Sequence, residues 1–233
     1  MGYNSTLPIA KISNCDVLSC AHTGFESNDI STWGVLTTNQ VPDAYTGVLS
    51  CKVLRNSIGP VKVITPSTNY QNKKILVSCW VKTTGTFGAG KGTLKIFPVL
   101  NSTSTSPLYP TNTAANKTIT FGNTANKWTY VEIIIDLKAI HATTGTTPLI
   151  LRTLVQNTDA TNDLLVDDIR IVPVDARMQT YTYNPVFGMT STTDSNNQSI
   201  FYEYDDLGRL KLVRDVDKNI LKKTEYQYQQ IQN

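Results

Sequence analysis

LLVDDIRIV, residues 164–172, is an apolar run broken by two adjacent aspartates and one arginine. Its length and composition predict a buried β-strand, and strict alternation would send the carboxylates of Asp167 and Asp168 to opposite faces. One of them must then point inward or lie at a specially built edge, because an unpaired buried carboxylate is costly. A metal ion, a basic partner or backbone donors should meet it. The chain before this strand reads as one β-rich domain that the strand closes.

Working outward, Leu49, Cys51 and Val53 share one parity, with Ser50 and Lys52 opposite. Val77, Cys79 and Val81 repeat that pattern with Ser78, Trp80 and Lys82 opposite, and Val131, Ile133 and Ile135 do so with Tyr130 and Glu132 opposite. Short alternating segments separated by Gly, Pro, Ser and Asn predict about eight strands over residues 14–174, in a sandwich or barrel. Helical periodicity does not persist. The run Gly85-Thr-Phe-Gly-Ala-Gly-Lys-Gly92 approaches a phosphate-binding loop, but Gly92 replaces the hydroxyl residue and a strand follows where a helix should open. It reads as a glycine-rich hairpin. Residues 101–120 form a long Ser/Thr/Pro/Asn excursion carrying Tyr109, a candidate for ligand stacking or for anchoring the loop.

The chain has 233 residues, 40% of them hydrophobic, and a formal charge of +3 without a dense basic run, so nucleic-acid binding is not indicated. Eighteen consecutive apolar residues occur nowhere, and the first residues lack the pattern of an export signal, so no membrane insertion is expected. The reading preferred is a fragment of a larger exported protein. The four cysteines allow three disulfide pairings. Cys51 and Cys79 lie on core parity, whereas Cys15 and Cys20 lie in a loop where pairing is open. Carboxylates at Glu26, Glu132, Asp136, Asp167 and Asp168 show no opposed acid and nucleophile, and His22 and His141 lack a nucleophile context. The expectation is a non-enzyme.

The order GFES at 24–27, Trp33, AYTG at 44–47, ILVSCWVK at 75–82, Trp128 and VDDIR at 166–170 resembles the galactose-binding-like jelly rolls that include many carbohydrate-binding modules. The resemblance implies a jelly-roll β-sandwich over residues 14–174. It also implies a structural calcium joining first and last strands, with Glu26 and Asp168 as acidic ligands and backbone oxygen near Gly47 contributing. Oxygen-rich acids without ligand-like His or Cys favour calcium over zinc in any case. The alternative for Asp168 is a salt bridge to Arg170 or another cation.

Residues 175–233 carry an internal repeat of about twenty residues. Tyr181-Thr-Tyr183, Gly188 and Asp194 are echoed by Tyr202-Glu-Tyr204, Gly208 and Asp215, and Tyr226-Gln-Tyr228 begins another unit. YEYDDLGRLKLVRD closely resembles the YD repeats of RHS-type surface or exported proteins, which implies a β appendix at an extracellular or cell-surface location. Lys218 stands where that pattern often has Gly, so its turn is expected to differ.

The resulting expectation is an all-β chain: a jelly-roll β-sandwich with a C-terminal YD-repeat β appendix. Its function would be carbohydrate binding or adhesion within a larger surface protein, with extracellular polysaccharide or neighbouring domains as partners. The alternative is an architectural domain. Trp80, Tyr109 and Tyr130 are the candidate carbohydrate-binding residues, since an aromatic plate stacks on the apolar face of a sugar.

Overall fold

The computed structural model describes residues 3, 6–26, 28–145 and 148–227. Ser27 and Tyr228, which belong to the two sequence patterns above, lie outside the described residues. The strands in chain order are β1 (Ala10–Ser13), β2 (Ala21–Thr23), β3 (Gln40–Val41), β4 (Ser50–Val53), β5 (Ser57–Ile64), β6 (Lys74–Thr83), β7 (Gly92–Val99) and β8 (Lys117–Phe121). Then follow β9 (Thr129–Asp136), β10 (Ile150–Asn157), β11 (Leu164–Pro173), β12 (Arg177–Asn184), β13 (Gly188–Thr193), β14 (Ser199–Tyr204), β15 (Leu210–Arg214) and β16 (Ile220–Lys223). Among the described residues one α-helix, α1 (Leu137–Thr144), and three short 3-10 turns interrupt them, where no helix was expected. Asp136 caps α1 by accepting from Ala139 N, and Leu137 and Ile140 turn into the core.

The strands form three antiparallel sheets. The first runs β3-β4-β11-β6-β9 with β2 beside β11, the second β5-β10-β7-β8, and the third β1-β12-β13-β14-β15-β16. The first two pack face to face as a jelly-roll sandwich around Ile75, Val77, Cys79 and Val81 of β6, Leu94 and Ile96 of β7, and Leu151 and Val155 of β10. The alternation of β6 therefore places its apolar parity in the core, as the sequence predicts. Cys51 and Cys79 are buried there as free thiols. The glycine-rich run 85–92 closes no hairpin. It carries the chain from β6 in the first sheet to β7 in the second, with Gly85 and Gly90 at positive φ and Gly88 N donating to Asp159 Oδ2.

The third sheet lies on the outer face of the first, so β11 is covered on both sides and all ten of its residues are buried. Arg170 of β11 reaches across: its Nη1 donates to the Asp194 carbonyl at 2.7 Å and its Nη2 to Thr180 Oγ1 at 2.6 Å. Asn197 Nδ2 donates to the Tyr130 hydroxyl and Ser199 Oγ to the Tyr45 hydroxyl, tying further points of the two layers. Strand β1 precedes the sandwich in sequence yet pairs with β12, so the third sheet draws on both ends of the chain.

Strands β13 to β16 are joined by a recurring hairpin turn, spaced ten or eleven residues apart where the sequence repeat has about twenty, and Gly188 is in none of these turns. Asp194, Asp205 and Asp215 each accept through Oδ1 from the amides two and four residues on, while the residue three on donates its amide back to the aspartate carbonyl. That third residue is Asn197, Gly208 or Lys218, at φ 61, 76 and 66°. The Lys218 turn therefore does not differ; the aspartate bonds hold a lysine in the conformation that glycine adopts freely. A left-handed non-glycine residue costs about 1 kcal/mol. Lys218→Gly is accordingly expected to raise stability by about 0.5–1 kcal/mol in urea denaturation, and a loss would show the turn unstrained.

Candidate functional site

The acidic pair of β11 sits in a gap. β4 pairs with Leu164–Val166 and β2 with Ile169–Ile171 along one edge, while the register against β6 shifts between Asp167 and Arg170. Asp168 has φ 47°, which marks a bulge. The extra residue moves the core parity from Leu164 and Val166 to Ile169 and Ile171. Both carboxylates are buried, at 0% and 2% exposure, because the strand is covered on both faces.

They find different partners. Asp167 Oδ2 accepts from Tyr45 N and Thr46 N at 2.8 and 3.0 Å, and its Oδ1 accepts from Asp168 N. Burial, with the neighbouring Asp168 charge, pushes its pKa well up. Asp168 contacts His22 Nε2 at 2.8 Å through Oδ1 and receives Arg170 Nη2 at 3.0 Å on Oδ2. Burial acts to raise its pKa, but Arg170 and His22 outweigh burial and hold it down at about 2.

The expected calcium pair therefore does not converge. Both oxygens of Asp168 are taken by nitrogen donors, and a guanidinium stands where a cation would. Glu26 Oε1 instead accepts from Val48 N and Leu49 N at 2.7 and 2.6 Å. Gly47, at φ 71°, lies so close that a Cβ there would meet Glu26 Oε1. Burial raises Glu26 to about 7 despite these amides. Among the described residues no group of three or more His, Cys, Asp or Glu side chains gathers as a metal cage. The donor set of Glu26, Gly47 and Asp168, as arranged, does not fit one shared ion.

A second site is the cleft between the sandwich and the third sheet, about 1040 Å³ in volume. Tyr45, Trp80 and Trp128 line its sandwich side; Phe201, Tyr202 and the turn from Arg214 to Lys218 line the other. Tyr45 stacks on Trp80 with ring centroids 3.7 Å apart and planes 16° off parallel, and Trp128 stands edge-on to Tyr45 at 6.5 Å. Tyr130 leans on Trp80 at 5.5 Å. Lys82 Nζ bonds both oxygens of Asp43, at 2.9 and 2.7 Å, and sits 5.8 Å from the Trp128 ring centre, which fixes that ring by a cation–π contact.

Of the sequence candidates, the fold brings Trp80 and Tyr130 together and leaves Tyr109 apart, packed on the sandwich core under its loop. Trp80 is held between Tyr45 and Tyr130, and Tyr130 is engaged by Asn197 of the third sheet. Half-buried Tyr45, Trp128, Phe201 and Tyr202 complete the cleft and were not among the sequence candidates. For Trp128 a signal was present, since it precedes a strand in which Tyr130 points outward.

Three of the charged groups at the cleft, Glu203, Arg214 and Asp215, are committed to one another or to their turn. Glu203 receives Arg214 Nε at 2.6 Å, and Asp215 is locked into its turn with a lowered pKa, chiefly through Asn219. The carboxyls that burial raises, Glu26 and Asp167, do not line the cleft.

No protein-family model matches the chain, and no curated protein matches it in sequence. Among solved structures it is similar to the CBM22-1 xylan-binding domain from Paenibacillus barcinonensis, at 15% identity over 66% of this chain and 93% of that one, with a TM-score of 0.44. It is also similar to the family 30 carbohydrate-binding module of a Clostridium thermocellum cellulosomal cellulase, at 14% identity over 72% and 99% of the two chains and a TM-score of 0.33. A cleaved adhesin domain of Lys-gingipain from Porphyromonas gingivalis is similar at 12% identity over 66% and 89%, with a TM-score of 0.32.

Proposed function

We propose that the chain binds carbohydrate without cleaving it, as an adhesive or positioning module of a larger exported surface protein, and that the cleft beside Tyr45 and Trp128 receives an extended polysaccharide. The observation that carries this reading is the cluster of Tyr45, Trp80, Trp128 and Tyr130 at a cleft of about 1040 Å³. Sugars present an apolar face to such rings and a polar rim to nearby charged and amide groups. Glycosidic cleavage needs a carboxyl kept protonated beside the scissile oxygen. Of the cleft carboxylates, Glu203 is paired with Arg214 and Asp215 has its pKa lowered, chiefly by Asn219, which supports binding over catalysis.

A polysaccharide array followed by solution titration tests the proposal. Trp128→Ala is expected to weaken a bound glycan at least about tenfold, since a truncated aromatic anchor commonly costs 2 kcal/mol or more. Tyr109→Ala, outside the cleft, should leave affinity unchanged.

A second reading has its own observation. Arg170, Tyr130 and Tyr45 bind the third sheet directly, so the aromatics also serve as the seat of that layer. On this reading the sandwich is an architectural support for an RHS-type repeat shell. Failure of the intact chain to bind any glycan at millimolar concentration would replace the first proposal with this one.

A further inference from the structure

Cys15 and Cys20 lie in the segment that leaves β1 in the third sheet and enters β2 in the first. Asp16 folds this segment back on itself: its Oδ1 accepts from Leu18 N at 3.0 Å and Ser19 N at 2.9 Å, and its carbonyl accepts from Ser19 N at 3.2 Å. The same carbonyl receives both thiols, Cys15 Sγ at 3.2 Å and Cys20 Sγ at 3.1 Å. Two sulfurs five residues apart are thereby brought to one acceptor atom. Both are half-buried and open to a small reagent, whereas Cys51 and Cys79 are enclosed in the sandwich core. The turn is anchored outside itself as well, for Ser67 N donates to Ser19 Oγ at 3.0 Å and Ser67 Oγ donates to Asp16.

We propose that Cys15 and Cys20 form an oxidative cross-link site, closed by exchange with a small organic disulfide, and that the bridge pins the crossover between the sandwich and the third sheet. Either thiolate serves as first nucleophile, since both sulfurs meet the same carbonyl, and the order beginning at Cys20 stands for both. The Cys20 thiolate attacks one sulfur of the oxidant, the oxidant's S–S bond breaks, and one thiolate leaves. Cys15, having lost its proton to solvent, then attacks Cys20 Sγ and expels the second thiolate. Two electrons pass to the oxidant, whose two halves leave as thiols with the two protons, and one intramolecular S–S bond remains. Burial raises the pKa of both thiols, so the exchange should be slow at neutral pH and faster at mildly alkaline pH.

The test treats the full chain with oxidised glutathione, followed by alkylation and peptide mapping. The expected product has lost two free thiols, carries a Cys15–Cys20 link and no glutathione, and still yields Cys51 and Cys79 as thiols once denatured. Its melting temperature should rise by roughly 5 °C over the reduced chain and return on reduction, as for a bridge closing a short loop in a domain of this size. Cys15→Ser should trap glutathione on Cys20. Cys15 and Cys20 that stay alkylatable, separate glutathione adducts on each in the unaltered chain, or a link to Cys51 or Cys79 would overturn the proposal. The mapping needs no variant, so a Cys15→Ser chain that failed to fold would leave the decision intact.

Discussion

Arg170→Met is expected to lower stability by about 3–5 kcal/mol, because it strands a buried carboxylate rather than removing a pair. Arg170 is 3% exposed and Asp168 2%, and their contact at 3.0 Å lies inside a strand covered on both faces. The same guanidinium holds Thr180 and the Asp194 carbonyl, so the loss falls on the joint between two layers as well as on the ion pair. Asp168 is held at about 2 because Arg170 and His22 overcome its burial. Its ionised form therefore stabilises the fold above the ordinary carboxylate range, and that contribution is lost as pH falls towards 2. Denaturant unfolding at neutral pH measures the main effect, and Arg170→Met/Asp168→Asn should recover part of it. A change below 1 kcal/mol would mean that His22 or solvent satisfies Asp168 unaided.

The sandwich was legible where packing is two-sided and regular. Leu49, Cys51 and Val53, or Val77, Cys79 and Val81, alternate because one parity meets the opposite sheet. The bulge in β11 was legible too, had the change of parity from Leu164 and Val166 to Ile169 and Ile171 been followed through the two aspartates. What alternation could not convey is that the outer face of this strand is also roofed. The covering residues come from a sheet built later in the chain and from β1 at its start, and periodicity within one strand carries no information about layer order.

The site divides in the same way. The outward parity of Trp80 and Tyr130 follows from local alternation, and the rings do meet. Phe201 and Tyr202 reach the cleft only through the docking of the third sheet, so their sequence neighbourhoods carry no mark of it, and Tyr45 reaches Trp80 from a loop before β4 that has no alternation to read. Tyr109 illustrates the converse. A polar, proline-bearing loop looks exposed in sequence, yet its ring is drawn onto the core, while its carbonyl accepts from Asn112 N and Asn116 Nδ2. The aspartate turns were legible in part, since Asp194 and Asp215 were matched while Asp205 between them was not, and nothing in the sequence showed the tolerance of Lys218. That depends on paired amide bonds to Asp215, which impose the conformation whatever residue stands there.

Glu26 should make stability fall with rising pH across the range from about 4.5 to about 7. Its folded-state pKa is raised from 4.5 to about 7, with burial the leading cause and the amides of Leu49 and Val48 opposing it. Between those values the folded chain keeps a proton that the unfolded chain has released, so stability is full below the lower value and is lost progressively up to the upper one. At 1.36 kcal/mol per pH unit, the penalty is about 3 kcal/mol at neutral and higher pH. Asp167, also raised by burial and next to Glu26, acts in the same direction. Glu26→Gln removes the ionisation while keeping an oxygen for the Val48 and Leu49 amides. Unfolding measured from pH 4.5 to 8 in chelator is therefore expected to show a declining wild-type curve and a flatter, higher one for Glu26→Gln. Added calcium gives a further arm. An ion supplying the missing positive charge would flatten the wild-type curve and leave the Gln variant unmoved, and would place that ion with Glu26 and a partner other than Asp168, whose oxygens His22 and Arg170 already hold. Coincident, flat curves for the two chains in chelator would show that Glu26 is ionised at no cost, its two amide bonds compensating its burial in full.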